Sequence, residues 1–335
     1  MNKPTAVIDK CLLQPICALQ NHARSKHCLR FLAEHFTIYA PPMLIEEIAA
    51  NYYSPPSDSS KDLAVKMLAA ISDFHWMEHP LELIYQEVVL KKDISAGFDL
   101  NLTMAGKYRG WIEDLDAHLP ELEELFRRRY ERKEEKCKSR KMFQETFKNP
   151  AYPDALNFPD LAAFVQNGKS FLETMFLGSR FKESLVFKYI CKRVNEWHPN
   201  AVAQTERIFS ELNLVSLGRT PFMHDAILAY LLYLSGPVAR IGPKESIKAN
   251  PFVLSGDQIN NEEDEEYMTS AVLCDYLLTC DKKMHNMAEM HKTACRFKHS
   301  RQWPRASILT PRTMADQIEV FLASLVGTSG GAGST

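Results

Sequence analysis

Thr5-Ala6-Val7-Ile8-Asp9 is short, apolar through its middle and closed by an acid. Such a run, without polar alternation, fits a strand buried on both faces of a parallel sheet better than a half-exposed one. Phe36 to Ala40 (FTIYA), Tyr276 to Thr279 (YLLT) and Ser307 to Thr310 (SILT) share the pattern, each closed by a polar residue or a proline. Helical patterns lie between them: Ala18 to His35, Leu44 to Tyr53 after Pro41-Pro42, and Lys283 to Phe297. Strand, helix, strand at both ends of the chain calls for crossover connections and therefore an α/β fold.

Between Asp62 and Ser235 the strand signal fades and helical patterns dominate: Asp62 to Phe74, Leu119 to Phe147, Leu161 to Phe176, Lys182 to Glu196 and Pro221 to Leu234. Pro221 suits a first helical turn, where its missing N–H costs nothing. The expected organisation is a core from residues 1–60 and 251–326, a helical insertion at 61–250, and a flexible tail at 327–335 (GTSGGAGST).

The chain has 335 residues, 45% hydrophobic and 24% charged, which excludes disorder and collagen-like repeats. Glycine is scarce, with 13 in all, so helix is favoured. No stretch has the roughly 18 to 20 apolar residues of a membrane span, and the opening MNKPTAVIDKCLLQ places charge inside what would be a signal core. Eight cysteines without a Cys-x-x-Cys pair read as reduced thiols, so a soluble, cytoplasmic protein without membrane partners is expected. A formal charge of −2 rules out a uniformly basic nucleic-acid binder but allows a local basic patch. Isolated Gly106, Gly110 and Gly178 form no phosphate loop, which argues against an ATPase or NAD enzyme.

Acids recur where strands end and helices begin. Asp9 closes the first apolar run, Glu46 and Glu47 follow Pro41-Pro42, Asp264 opens a helical pattern, and Asp281 follows YLLTC seventeen residues later. Each alone reads as a helix cap or a first-turn acid. Together they sit where open α/β sheets place ligands, at the carboxyl ends of strands. Carboxylates packed closely there would raise one another's pKa unless a cation resides among them, which suggests a hard, oxygen-seeking ion.

These segments resemble the PIN-like nuclease family: AVID, the Pro-led PPMLIEEI, DEEYMTSAVLCDYLLTCD followed by Lys-Lys, and SILTPRTMADQIEVFL. The likeness covers about 140 residues at the two ends. It implies a Rossmann-like PIN-type parallel sheet flanked by helices, and a metal-dependent endoribonuclease using Mg²⁺ or Mn²⁺. Implied catalytic and metal-binding residues are Asp9, Glu47 (Glu46 in the alternative register), Asp264 (Glu265 or Glu266 as substitutes) and Asp281. Lys10 stands where the family often has a small hydroxyl residue. Lys10, Lys282 and Lys283 are candidates to meet substrate phosphates. The alternatives are a silent PIN-like scaffold whose helical insertion binds a protein or nucleic-acid partner, and a nuclease acting on DNA.

Three further features have plainer readings. Arg127 to Lys141 (RRRYERKEEKCKSRK) holds nine basic and three acidic residues. It offers Arg127, Arg128 and Arg129 to an RNA backbone, or else forms a solvated helix laced by pairs three and four apart. The preceding Glu113 to Glu124 holds six acids and no Lys or Arg, so the region could instead be a docking surface for another protein or for the chain itself. His285, His291, Cys295 and His299 spread along too much helix for one tetrahedral zinc. His224-Asp225, adjacent on a helix, should not face each other, which favours a first-turn acid beside a surface or capping histidine.

Overall fold

In the computed structural model, the described residues are 3–54, 58–94, 105–147, 157–158, 185–212, 219–235, 240–241 and 264–281, with 284, 288, 291 and 320. The chain is a mixed α/β protein built on a small parallel sheet. Strand β1 (Thr5–Ile8) leads into α1 (Lys10–Cys17) and α2 (His22–His35), then β2 (Thr37–Ala40) and α3 (Pro42–Tyr53). Next come α4 (Asp58–Ile71), β3 (His75–Trp76), α5 (Pro80–Val88), α6 (Ala105–Glu113) and the long α7 (Leu119–Phe147). After β4 (Asn157–Phe158) follow α8 (Leu185–Trp197), α9 (Val202–Glu211), α10 (Pro221–Ser235) and β5 (Arg240–Ile241). The series ends with α11 (Asp264–Ala271) and β6 (Tyr276–Leu278).

The main sheet has four strands in the order β3-β2-β1-β6, all parallel, and β4 pairs with β5 separately. Strand β1 is the middle of the assembly: Val7 lies opposite Tyr39 on one side and Leu277 on the other. Ala6, Val7 and Ile8 are wholly buried, as an unalternating apolar run requires. Burying each Val or Ile stabilises by roughly 1.5–3 kcal/mol, which holds residues 270 positions apart in one sheet. Asp275 secures the same junction, accepting from the Thr5 N–H at 2.8 Å and the Thr5 hydroxyl at 3.0 Å.

Strand β3 departs from the sequence expectation. Two residues are too few to display a period, so His75–Trp76 is illegible as a strand, yet it pairs with β2 and gives the sheet an edge from within residues 61–250. The first crossover also holds two helices, because α1 accommodates Pro15 and ends at Cys17, before Asn21 caps α2. The expected strand at Ser307 to Thr310, the helix at Leu161 to Phe176 and the tail lie outside the described residues, as do His285, Cys295 and His299.

His224 and Asp225 require a correction. Residues 222–230 of α10 are all buried, His224 and Asp225 at 2% and 0% exposure. Cut off from water, His224 Nδ1 and Asp225 Oδ1 take the partner within reach, at 2.9 Å, so neither is a surface or capping group. His291 Nε2 lies 2.7 Å from the Asp225 carbonyl.

Candidate functional site

The strand order reverses direction at β1: the chain runs outward to β2 on one side and returns as β6 on the other. The carboxyl ends of β1 and β6 therefore flank a topological switch point, where open α/β sheets form ligand crevices. Asp9 sits directly there. Its N–H donates to the Leu278 carbonyl at 3.0 Å, tying the two strand ends together. Its extended backbone makes it the N-cap of α1, and Oδ1 accepts from the Cys11 N–H at 3.3 Å. Oδ2 accepts from the Thr279 hydroxyl and the Cys11 thiol, both at 2.7 Å.

Asp9 is 6% exposed, and burial pushes its pKa up from 3.8 to about 6. Hydrogen bonds from Cys11 and Thr279 oppose the rise, and the nearby charge of Glu47 adds to it. Burial also drives the Cys11 thiol well above its ordinary range, helped by Cys280 and the Asp9 charge. Cys11 is thus a protonated donor at neutral pH and a poor nucleophile.

Glu47, on the second turn of α3, is paired. Lys10 Nζ lies 2.7 Å from Oε1, and the Tyr267 hydroxyl of α11 donates to Oε2 at 3.2 Å. Burial alone would raise the Glu47 pKa, but Lys10 and Arg129 outweigh it and hold the group below its ordinary value. Asp281 follows β6, and its N–H donates to the Thr279 hydroxyl oxygen at 3.0 Å. Its Oδ1 accepts from the Met284 N–H at 3.1 Å, the contact of a helix cap. Thr279 thereby connects the two strand-end aspartates. The structure brings Asp9, Glu47 and Lys10 to one edge, with Asp281 joined through Thr279. Asp264 opens α11, but its side chain lies outside the described set, as do Lys282 and Lys283. Among the described residues, no group of three or more His, Cys, Asp or Glu is placed to hold one ion.

Glu46 and Glu47 point to different environments, as neighbours on a helix do. Glu46 accepts from the Tyr108 hydroxyl at 3.1 Å and from Arg132 at 3.5 Å, while Arg129 donates to its carbonyl at 2.9 Å. This belongs to a second, ionic network under α7. Lys136, 2% exposed, pairs with Glu265 and lies 3.6 Å from Glu266. Burial raises Glu265 to about 7; for Glu266 burial is outweighed by Lys136, Arg132 and His79, which bring it down to about 2. His79 accepts from the Leu81 N–H on Nδ1 at 3.1 Å and stacks on Trp197 at 4.2 Å. Burial lowers its pKa to about 4 and keeps it neutral. Glu46, Glu265 and Glu266 are thus occupied away from the Asp9 edge.

The arginines divide in the same way. Arg129 is buried. Arg127 is exposed and pairs with Glu124 at 2.7 Å and Glu131 at 2.5 Å, while Arg128 pairs with Glu124 at 2.6 Å. A cleft of about 780 Å³ between α3, α7 and α8 is lined by these pairs and by Lys192, which reaches Glu135 at 2.8 Å. Its walls carry both charges, nearly in balance.

Cys11, Thr279, Tyr267 and Lys136 were not singled out from sequence. A hydroxyl at a strand end, as in YLLTCD, is the signal that could have marked Thr279. No family model, curated protein or solved structure matches the chain. Among the described residues, no helix is long and apolar enough to cross a membrane.

Proposed function

We propose that the chain is a metal-dependent endoribonuclease whose centre lies at the β1/β6 switch point. The observation that carries this reading is Asp9: a carboxylate buried at a ligand-binding position of the fold, raised to about 6, with Glu47 close enough to add to the strain. Ionising it there is expensive, and a cation is the economical reason to keep it.

The donor chemistry fits Mg²⁺ or Mn²⁺. These ions take oxygen ligands, keep several waters and need only one or two carboxylates plus substrate phosphate. Asp9 and Glu47 would supply the carboxylates, with Asp281 and Asp264 as further candidates. Such an ion contributes an activated water and neutralises charge growing on the phosphoryl oxygens. Thr279 and Cys11 orient Asp9, and Tyr267 fixes Glu47. Lys10, with Lys282 and Lys283, would meet the substrate backbone as point charges. RNA is the substrate the family likeness implies, and DNA shares the chemistry at phosphorus.

A specific observation favours a second reading, a silent scaffold. Glu47 is neutralised by Lys10, Asp9 and Asp281 both cap helical turns, and Glu265 pairs with Lys136, all roles that need no ion. Incubation with labelled single-stranded RNA and DNA in Mn²⁺ separates the two. The nuclease reading expects cleavage by the wild type that disappears in Asp9→Asn and in EDTA. Intact RNA and DNA throughout would favour the scaffold.

A further inference from the structure

Lys10 is the first residue of α1, where the positive end of a helix dipole disfavours a cation. It is nevertheless drawn inward, 16% exposed, with its ammonium 2.7 Å from Glu47 Oε1, itself on a side chain 21% exposed. The surroundings of that contact are fixed. The Tyr267 hydroxyl holds the other Glu47 oxygen, Thr279 and Cys11 hold Asp9, and Arg129, whose charge also reaches Glu47, is anchored on the Glu46 carbonyl. The lysine is the long, flexible member of the group, a hydrated point charge on four methylenes that binds carboxylate or phosphate without directional demand.

We propose that Lys10 is an internal counter-cation, holding the Asp9–Glu47 edge in the ion-free protein and moving to a substrate phosphate when a divalent cation enters. The inference rests on the nuclease reading above. An ammonium and a divalent ion on the same carboxylate would repel each other, so loading would be a displacement in which the Lys10 ammonium leaves Glu47. The released ammonium then faces the crevice, where a phosphodiester anion is the partner that restores its pairing. Divalent ion and nucleic acid therefore strengthen each other's binding, and the free protein resists loading by an ion alone. By linkage, the enhancement is equal in both directions.

The test measures Mn²⁺ affinity of the full chain from the paramagnetic resonance of free Mn²⁺, with and without a 2′-O-methyl oligoribonucleotide that resists cleavage. Wild type, Lys10→Met and Lys10→Gln are compared, the last retaining a polar contact to Glu47 should the apolar variant misfold. The expected result is about tenfold tighter Mn²⁺ binding in the variants, equivalent to about 1.4 kcal/mol. The oligonucleotide should tighten Mn²⁺ binding by a larger factor in the wild type than in the variants, which keep only the direct contact of phosphate with the ion. Equal or weaker Mn²⁺ binding in folded variants, with a wild type that does bind, would overturn the role of Lys10 and leave the nuclease reading standing. Failure of every form to bind Mn²⁺ would overturn both.

Discussion

Replacing Asp9 by Asn should stabilise the ion-free protein above neutral pH. The rise of its pKa from 3.8 to about 6 corresponds to about 3 kcal/mol of disfavoured ionisation. The sign follows from the raised value: the native state holds its proton to higher pH than the unfolded chain. Stability thus falls as pH climbs from about 4 through about 6 and is flat beyond. Asparagine removes the charge and this slope, still accepting from Thr279. Its amide nitrogen meets the Cys11 N–H, however, and forfeits a cap worth about 1 kcal/mol. The net gain is about 2 kcal/mol at pH 8, shrinking as pH falls and becoming a loss of about 0.5 kcal/mol near pH 4. Urea unfolding of both proteins in EDTA between pH 4 and 8 measures it. A pH-independent difference, or an Asn variant less stable at pH 8, would refute the view that burial of an ionised Asp9 is costly.

Glu87 accepts from the N–H groups of Phe222 and Met223, at 3.0 and 2.8 Å, and so caps α10 from a distant helix. Glu87→Ala should cost about 1–2 kcal/mol in urea unfolding. Burial also raises Glu87 to about 7, so in Glu87→Gln the wild-type loss of stability between pH 4.5 and 7 should flatten. Lys136→Met leaves Glu265 and Glu266 buried without their ammonium and should cost about 3–5 kcal/mol, with a Lys136→Met/Glu265→Gln double variant recovering part. Because Arg127 and Arg128 are already paired, changing both to Ala should leave RNA affinity and its salt dependence unchanged. A fall in the salt slope of about one per arginine in a filter-binding assay would contradict that.

The central strand, the Pro-led helix α3 and the full extent of α7 were legible because each carries its own local signal: an unalternating apolar run, a proline at the start, a long span without breakers. The pairing of charges was not. Along α7, Leu122, Leu125, Arg129, Arg132 and Lys136 form one stripe at intervals of three and four, continued from apolar into basic residues. Hydrophobic periodicity sees only its first two members. The remaining three turn inward because Glu46, Glu265 and Glu266 await them on α3 and α11, partners remote in sequence. Three of the nine basic residues in the run, Arg129, Arg132 and Lys136, thus serve the interior, whereas the expectation spread the run over the surface. At the candidate centre, strand-end and helix-start context marked Asp9 and the Glu46-Glu47 pair, but not which of the two glutamates lies beside Lys10. The Lys10–Glu47 contact spans 37 positions and depends on how α1 and α3 leave the sheet, which no local pattern records.

Crystals of the protein with the cleavage-resistant oligoribonucleotide, soaked in Mn²⁺ and with the anomalous signal of manganese recorded, test the central claim most directly. A peak bridging Asp9 and Glu47, with the Lys10 ammonium withdrawn from Oε1, is the predicted result. Manganese bound elsewhere or nowhere, with Lys10 still on Glu47, would contradict it.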